Sequence, residues 1–173
     1  INKGKNMILM NLGGLGFDPK NMSPIILLKD AEERNFLPIW IGMFEAAAIA
    51  MELQEFKPPR PMTHDLITKT ISSLEGTVQR IIISEIVENT FYAIIEVKTK
   101  QKKLIKIDAR PSDAIAIAVR VNIPIYVNET VMSKAKMVNS EKDAEETQNW
   151  KEFIDNIKPG DLGKYLNDMD KPN

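Results

Sequence analysis

The sequence predicts a single α+β domain in which mixed or antiparallel sheets of short strands pack against helices. Apolar runs of strand length alternate with apolar stretches of helical length. The 173 residues are 43% hydrophobic, and a chain of this size buries roughly 70% of its unfolded surface. One order of elements also occurs twice, which indicates duplicated hairpin-plus-helix units. We expect the domain to occupy residues 1–138, and residues 139–173 to form a charged linker and a C-terminal amphipathic helix.

The first predicted unit is a hairpin followed by a helix. Residues 25–28 and 37–41 are apolar runs separated by a charged stretch, which is the pattern of two strands with a polar loop. Gly42 ends the second strand, and the nearly continuous apolar residues 43–55 predict a mostly buried helix. The proline-rich stretch 57–61 then excludes a helix.

A second helix is predicted from Thr63, whose side chain can cap the first turn, to Gly76. Its expected inward face consists of Leu66, Ile67, Thr70, Ile71 and Leu74. Before the first unit, the glycines of residues 13–16 suggest a phosphate-binding loop. No helix with Lys-Ser/Thr follows them, so a flexible turn is predicted instead.

Three strands, a helix and a short strand complete the predicted domain. The strands cover residues 78–87, 91–98 and 103–109, which are rich in β-branched and aromatic side chains. A helix follows over residues 114–121, with Ser112 as a favourable N-cap, and residues 124–127 form a short strand.

The internal duplication rests on a shift of 68 residues, which lays residues 25–53 onto 93–121 without a gap. The shift makes Glu45 equivalent to Asp113, and Glu52 equivalent to Arg120. A contact between opposite charges of the two halves therefore becomes possible. The alternative is that any two hairpins followed by helices rich in Ala and Ile look alike.

Composition limits the environment and the partners. The chain has no cysteine and nine methionines, which suits a reducing cytoplasm. No run approaches the roughly 18 apolar residues of a membrane span, so we expect a soluble cytoplasmic protein without a membrane partner. The net charge of −1 gives no bulk attraction for phosphate backbones. Binding of DNA or RNA would therefore need a local basic patch.

Several residue strings are too long to be chance turn or cap patterns. They are Leu37-Pro38-Ile39-Trp40-Ile41-Gly42 followed by Glu45-Ala46, Arg60-Pro61-Met62-Thr63-His64-Asp65-Leu66, Asp108-Ala109-Arg110-Pro111-Ser112-Asp113-Ala114-Ile115-Ala116, and Pro124-Ile125-Tyr126-Val127. In order and spacing, residues 25–131 resemble the bifunctional nuclease family of small bacterial and plant proteins. The resemblance implies nuclease activity on DNA and RNA.

The polar residues of these strings suffice for phosphodiester hydrolysis, which needs an activated water and neutralisation of developing negative charge. The candidates are His64, Asp65, Asp108 and Asp113 for catalysis, Arg60 and Arg110 for phosphate binding, and Asp65, Asp108 and Glu45 for Mg²⁺ or Mn²⁺. Asp108 is notable because it lies in an otherwise apolar strand. We expect the aspartates, the histidine and the two arginines to cluster in space.

The same residues also have a structural interpretation. Carboxylates in first helical turns are favoured by the helix dipole alone, and arginines beside them can form ion pairs. The alternative function is therefore a non-catalytic oligomeric binding or regulatory module held together by these pairs. A third possibility is a small-molecule site between subunits. We predict a homodimer, because residues 81–87 are apolar on both strand faces and the tail helix is amphipathic.

Overall fold

A computed structural model describes residues 6–18 and 22–140 of the chain. Within them the elements are, in order, β1 (Met7–Asp18), β2 (Ser23–Lys29), β3 (Phe36–Trp40), α1 (Met43–Leu53), α2 (Thr63–Ser73), β4 (Thr77–Val87), β5 (Thr90–Lys98), β6 (Leu104–Ala109), α3 (Pro111–Val121), β7 (Ile125–Asn128) and α4 (Glu129–Ser140). The α+β prediction is confirmed.

The strands form one seven-stranded sheet in the order β3-β2-β1-β7-β4-β5-β6. Each half contributes a three-stranded antiparallel meander followed by a helix, namely β1-β2-β3-α1 and β4-β5-β6-α3. Strand β7 lies between the halves, antiparallel to β1 and parallel to β4. Strand order and helix placement therefore correspond in the two halves, as the duplication predicts.

The main core lies where α1 and α3 pack on each other and on one face of the sheet. Equivalent side chains point into it, because Ile49 and Ile117 are both buried and each is followed by a buried alanine, Ala50 and Ala118. Alanines let the two helices approach closely, and each buried isoleucine contributes about 1.5–3 kcal/mol relative to exposure. The helices of the two halves are thus equivalent in packing as well as in order.

The inner strands of the two hairpins differ by one residue in register. Ile26 pairs with Ile39 and points into the core. The second half pairs Ile107 with Ile95 rather than with Ile94, the sequence equivalent of Ile26. Since neighbouring strand residues point to opposite faces, Ile95 enters the core and Ile94 does not. The side-chain equivalence holds for the outer strands and the helices only.

The turn predicted for residues 13–16 is wrong, because these glycines lie inside β1. The strand has an irregular register between Leu12 and Gly14. A Cβ atom on Gly13 would lie 3.2 Å from both the Leu27 carbonyl oxygen and the Lys29 side chain. Glycine therefore permits close approach of β1 to β2 at this irregularity.

The predicted inward face of α2 is also wrong. Leu66, Ile67 and Leu74 are exposed, and the buried residue of this helix is His64 near its start. Only Ile71, among the predicted apolar residues, packs against the core. The helix packs chiefly on α3 rather than on the sheet, so apolar spacing alone did not identify its buried side.

The last part of the described chain differs from what the sequence predicted. Helix α4 was not predicted, and it packs on β4 and β7. The predicted charged linker and tail helix lie, from residue 141 onward, outside the described residues. None of the described helices is long and apolar enough to cross a membrane.

The reason given for a homodimer finds no support in β4. Ile81, Ile82, Ile83 and Ile86 are all buried within one chain, although they point to both strand faces. This strand needs no cover from a second subunit. The homodimer stays a prediction that must rest on another surface.

Candidate functional site

Helices α1, α2 and α3 each have an acidic residue in the first turn, at the third helical position. These residues are Glu45, Asp65 and Asp113. Carboxylates at this position interact favourably with the positive end of the helix dipole. The basic partners that they bind decide what else they can do.

One network joins the starts of all three helices. His64 Nε2 lies 3.0 Å from Asp113 Oδ1. Arg110, the residue that precedes α3, donates from Nε to Asp113 Oδ2 at 2.8 Å and from a terminal nitrogen to Glu45 Oε1 at 2.8 Å. Its other terminal nitrogen lies 3.2 Å from Asp113 Oδ1. A contact between opposite charges of the two halves does form, but between Arg110 and Glu45 rather than between Arg120 and Glu52, since Glu52 pairs with Lys57.

His64 is held by packing and by this carboxylate. The residue is 9% exposed, and in the neutral tautomer with a proton on Nε2 it donates to Asp113. No buried side-chain nitrogen or oxygen among the described residues lacks a hydrogen-bond partner. The Nδ1 atom, which has no protein partner in the described part of the chain, therefore reaches solvent. An oriented imidazole with a free ring nitrogen can accept or deliver a proton.

The charges in the network are mutually stabilised. Burial opposes ionisation of Asp113, but hydrogen bonds from Arg110 and His64 outweigh it and hold the pKa of this carboxyl below its ordinary value. Hydrogen bonds to Asp113 and Glu45 raise the pKa of the Arg110 guanidinium. The carboxylate and the guanidinium are therefore both charged at neutral pH.

Asp65 belongs to a second, separate network centred on Arg120. Arg120 Nε donates to Asp65 Oδ1 at 2.7 Å, and the two terminal nitrogens donate to the carbonyl oxygens of Ala116 and Ala48. The Met62 backbone N–H donates to Asp65 Oδ2 at 2.8 Å. Burial would raise the pKa of Asp65, yet these bonds from Met62 and Arg120 hold it below its ordinary value. Arg120 thereby ties α3 to both α1 and α2.

A groove of about 410 Å³ opens beside Arg110. It lies where the end of β3, the turn between β4 and β5, and the start of α3 meet. Its polar and aromatic lining comes from Trp40, Glu45, Asn89, Thr90, Phe91 and Arg110. A smaller cavity of about 90 Å³ lies beside Asp65 and Arg120. The larger space is therefore next to the network that contains His64.

Comparison with known proteins identifies the fold family. The model of the bifunctional nuclease domain matches residues 26–140. The chain belongs to the bifunctional nuclease domain family. Proteins of two strains of Mycobacterium tuberculosis, both described as uncharacterized, are 41% identical over 158 residues, which are 86% of this chain and 94% of each relative. Bifunctional nuclease 1 of Oryza sativa subsp. japonica is 26% identical over 109 residues, 62% of this chain and 33% of the rice protein.

The structure brings together only part of the predicted site of this bifunctional nuclease domain. His64, Arg110 and Asp113 are in direct contact, and Asp65 is next to His64 in sequence but bound to Arg120. Asp108 pairs with Ile94 on the face of β6 that points away from the core, so it does not join them.

Arg60 lies in the exposed segment between α1 and α2. Neither it nor Asp108 has an ion pair within the described residues.

The three predicted metal ligands of this domain do not meet. Glu45 is bound to Arg110 and Asp65 to Arg120, while Asp108 points away from both. The described residues contain no group of three or more His, Asp or Glu side chains that could hold a metal ion. A cation held by these three carboxylates together does not fit the arrangement.

Two functional residues were missed or undervalued in the sequence. Arg120 was noted only as the equivalent of Glu52, although an Arg aligned with a carboxylate on a buried helix is a signal for an internal ion pair. Phe91 was treated as a strand residue only. Its position two residues after the Asn89 turn places it in the groove, which the sequence does not reveal.

Proposed function

We propose that this bifunctional nuclease domain hydrolyses phosphodiester bonds of DNA or RNA in the groove beside Arg110. The supporting observation is that one carboxylate, Asp113, binds both the only histidine of the chain and an arginine that lines the groove. The imidazole and the guanidinium thus lie on two sides of a single fixed charge. This arrangement supplies a proton-transfer group and a phosphate-binding group in fixed relation.

Arg110 has donors left for a substrate. A guanidinium has five N–H groups, and the three bonds to Asp113 and Glu45 leave two of them available. Arg–phosphate pairs are often bidentate, which fixes the orientation of the phosphate. The aromatic rings of Trp40 and Phe91 offer surfaces on which bases can stack without regard to sequence. Such local contacts suit a chain whose net charge is −1.

In the proposed reaction His64 Nδ1 takes a proton from the attacking water or gives one to the leaving oxygen. Asp113 keeps the other ring nitrogen protonated and stabilises the imidazolium that forms. Arg110 neutralises the charge that develops on the phosphate oxygens. His64 and Arg110 are already held by Asp113, but His64 is not among the residues that line the groove, so the scissile phosphate must reach it from the Arg110 side.

We further propose that Mg²⁺ or Mn²⁺ assists the reaction, held by one of the three predicted carboxylates rather than by all three. Magnesium in phosphate-transfer sites keeps several waters and uses one or two carboxylates together with the substrate phosphate. Of the three predicted ligands, Glu45 lines the groove and would hold the cation with the substrate. A bound cation would supply further charge neutralisation at the phosphate.

The alternative is a non-catalytic binding or regulatory module. A specific observation favours it: the carboxylates of Glu45, Asp65 and Asp113 are all closed into arginine pairs, as expected of a structural network. Arg110 also joins the start of α3 to α1, and Arg120 joins α3 to both α1 and α2. Substitutions that separate loss of cleavage from loss of stability decide between the two functions.

The decisive experiment compares Asp113→Asn with Asp65→Asn in a nuclease assay on highly purified protein, with and without Mg²⁺ or Mn²⁺. The two carboxylates are matched, since each occupies the same helical position and binds one arginine. If Asp113 orients a catalytic His64, Asp113→Asn lowers cleavage by about 100-fold while Asp65→Asn retains it.

Melting temperatures of both variants are measured alongside. Comparable decreases in melting temperature with no cleavage in the wild type would leave the structural network as the function of these residues. Cleavage that survives both Asp113→Asn and His64→Gln would indicate a contaminating nuclease and would overturn the proposal.

A further inference from the structure

Strand β6 is an open edge of the sheet. Among residues 6–18 and 22–140, it pairs with β5 on one side and with no strand on the other. Every residue from Leu104 to Asp108 is exposed, including three large apolar side chains, Leu104, Ile105 and Ile107. An exposed edge with apolar residues is a template for pairing with another strand, and proteins commonly guard such edges with proline, bulges or charged side chains, of which β6 carries only the charges of Lys106 and Asp108. This strand has no proline, and its register with β5 is regular.

The two faces of this edge differ in chemistry. Ile105 and Ile107 pair with Val97 and Ile95, which belong to the core, so they lie at the margin of the core face. Lys106 and Asp108 alternate with them and point to the other face. An added strand would therefore extend the core on one face and meet two opposite charges on the other.

We propose that β6 pairs antiparallel with β6 of a second copy of this chain, about a two-fold axis that lies midway between the two Ile107 residues. A two-fold axis perpendicular to the sheet keeps each side chain on its own face. Since residues directly opposite each other point to the same face, the axis must lie midway between the two copies of one residue. Opposite charges facing each other stabilise such a pair, and like charges destabilise it. Charge therefore selects among the possible axes.

The axis through Ile107 places Lys106 opposite Asp108 of the partner subunit, and this contact occurs twice. An axis through Lys106 or through Asp108 would instead place like charges opposite each other. An axis through Ile105 would leave Asp108 beyond the paired residues of the strand. Only the Ile107 axis gives both charges an opposite partner while it brings the two Ile107 side chains together.

Helix α2 supplies further apolar surface beside this edge. The side chains of Ile71 and Val97 both lie at Gly76, and Val97 is the β5 neighbour of Ile105. Ile67 and Leu74 lie on the same side of α2 as Ile71, each about one turn from it, and both are exposed. Pairing through β6 would bring this apolar stripe next to the second copy, which accounts for its exposure.

Engineered cysteines test the register directly, because the natural chain has none. Ile107→Cys places two thiols opposite each other across the axis, where mild oxidation is expected to form a disulfide-linked dimer. Ile105→Cys is the matched control, on the same face and similarly exposed. Its thiols would lie roughly 13 Å apart in the proposed register, so it forms no dimer alone but joins Ala109→Cys in a mixture. Equal cross-linking of the two single variants, or none of Ile107→Cys, overturns the proposal.

A charge exchange tests the same contact without new covalent bonds. Sedimentation of the full chain is expected to give a dimer whose dissociation constant rises about tenfold in Asp108→Lys. Asp108 is suited to this test because it has no ion pair within the described residues. An equimolar mixture of Asp108→Lys with Lys106→Asp should return to wild-type affinity, since each chain then meets the opposite charge.

Lys106 also lies 3.6 Å from Glu96, so the melting temperature of Lys106→Asp is measured first. A wild-type chain that stays monomeric at every attainable concentration contradicts the proposal. An unchanged dissociation constant in Asp108→Lys contradicts it as well.

Discussion

The two edge strands of the sheet occupy the same place in the two halves, yet the apolar side chains of one are buried and those of the other are exposed. In β3, Leu37 and Ile39 are 0% and 3% exposed, and Pro38 between them removes a backbone donor. The equivalent residues of β6, Ile105 and Ile107, are 42% and 40% exposed. A duplicated unit can thus keep its strand order and helix while one copy buries the apolar residues of its edge strand and the other leaves them exposed.

The two halves also differ in their arginines. Arg110 stands where the first half has Gly42, and Arg120 stands where it has Glu52. Both arginines of the second half bind acids that belong to other elements, Glu45 in α1 and Asp65 in α2. The second half therefore provides the cations that hold the helix starts together, and the first half provides anions only.

The largest expected effect is the difference between Arg120→Ala and Glu52→Ala, two changes at equivalent positions. The Arg120 side chain is 6% exposed and binds one carboxylate and two carbonyl oxygens, so its loss leaves the Asp65 carboxylate without its cation. We expect Arg120→Ala to lower the free energy of unfolding by about 3 kcal/mol. Glu52 pairs with the exposed Lys57, and Glu52→Ala should cost less than about 0.5 kcal/mol.

Urea unfolding of the two variants measures this difference. Arg120→Lys serves as the control, because a single ammonium cannot reach three acceptors and should recover only part of the loss. Equal losses of unfolding free energy in Arg120→Ala and Glu52→Ala would contradict the larger stabilising role assigned to Arg120.

A smaller effect tests where the halves are alike. Ile49 and Ile117 are equivalent and both are buried between the helices and the sheet. Each Ile→Val change removes one methylene from a packed core, which should cost about 1 kcal/mol in either half. Thermal and urea unfolding give the two values, and a loss confined to one half would contradict equivalent packing of α1 and α3.

The smallest expected effect concerns acid pH. The folded-state pKa of Asp65 and that of Asp113 both lie below the ordinary value of 3.8. Their stabilising contribution is therefore complete above that value and is lost as the pH falls through the lower folded-state pKa. Asp65→Asn and Asp113→Asn should each flatten the loss of stability below about pH 4. Unfolding curves recorded from pH 5 downward check this, and an unchanged slope would contradict it.

Much of the fold was predictable because local chemistry and tertiary packing agree there. Strands β4 and β5 are rich in β-branched residues, and α1 and α3 begin with acids and continue as alanine- and isoleucine-rich runs. Disagreement between the two levels produced the errors. The glycines of β1 have low strand propensity, but close approach to β2 requires them. The apolar stripe of α2 was assigned to the core, although the helix packs through its first turn.

The candidate site was predictable in its residue types and only partly in its geometry. Acids in first helical turns are visible in the sequence, and three of them do meet arginines. The face on which Asp108 lies followed from its alternation with Ile105 and Ile107, and the error was to take an acid at the end of an apolar strand as part of the site. Which arginine each acid binds depends on the contact between α1 and α3, and no local pattern encodes that contact.

Strand β7 has a consequence for how the chain assembles during synthesis. Of the described strands it is the last to be made, and among them it alone neighbours both β1 and β4. Its pairing joins Met7 with Asn128, nearly opposite ends of the domain sequence. Until residues 125–128 leave the ribosome, β1 and β4 each keep an unpaired edge. Sheet closure is therefore a late, long-range step, and a nascent chain that pauses before β7 exposes two surfaces on which misassembly can start.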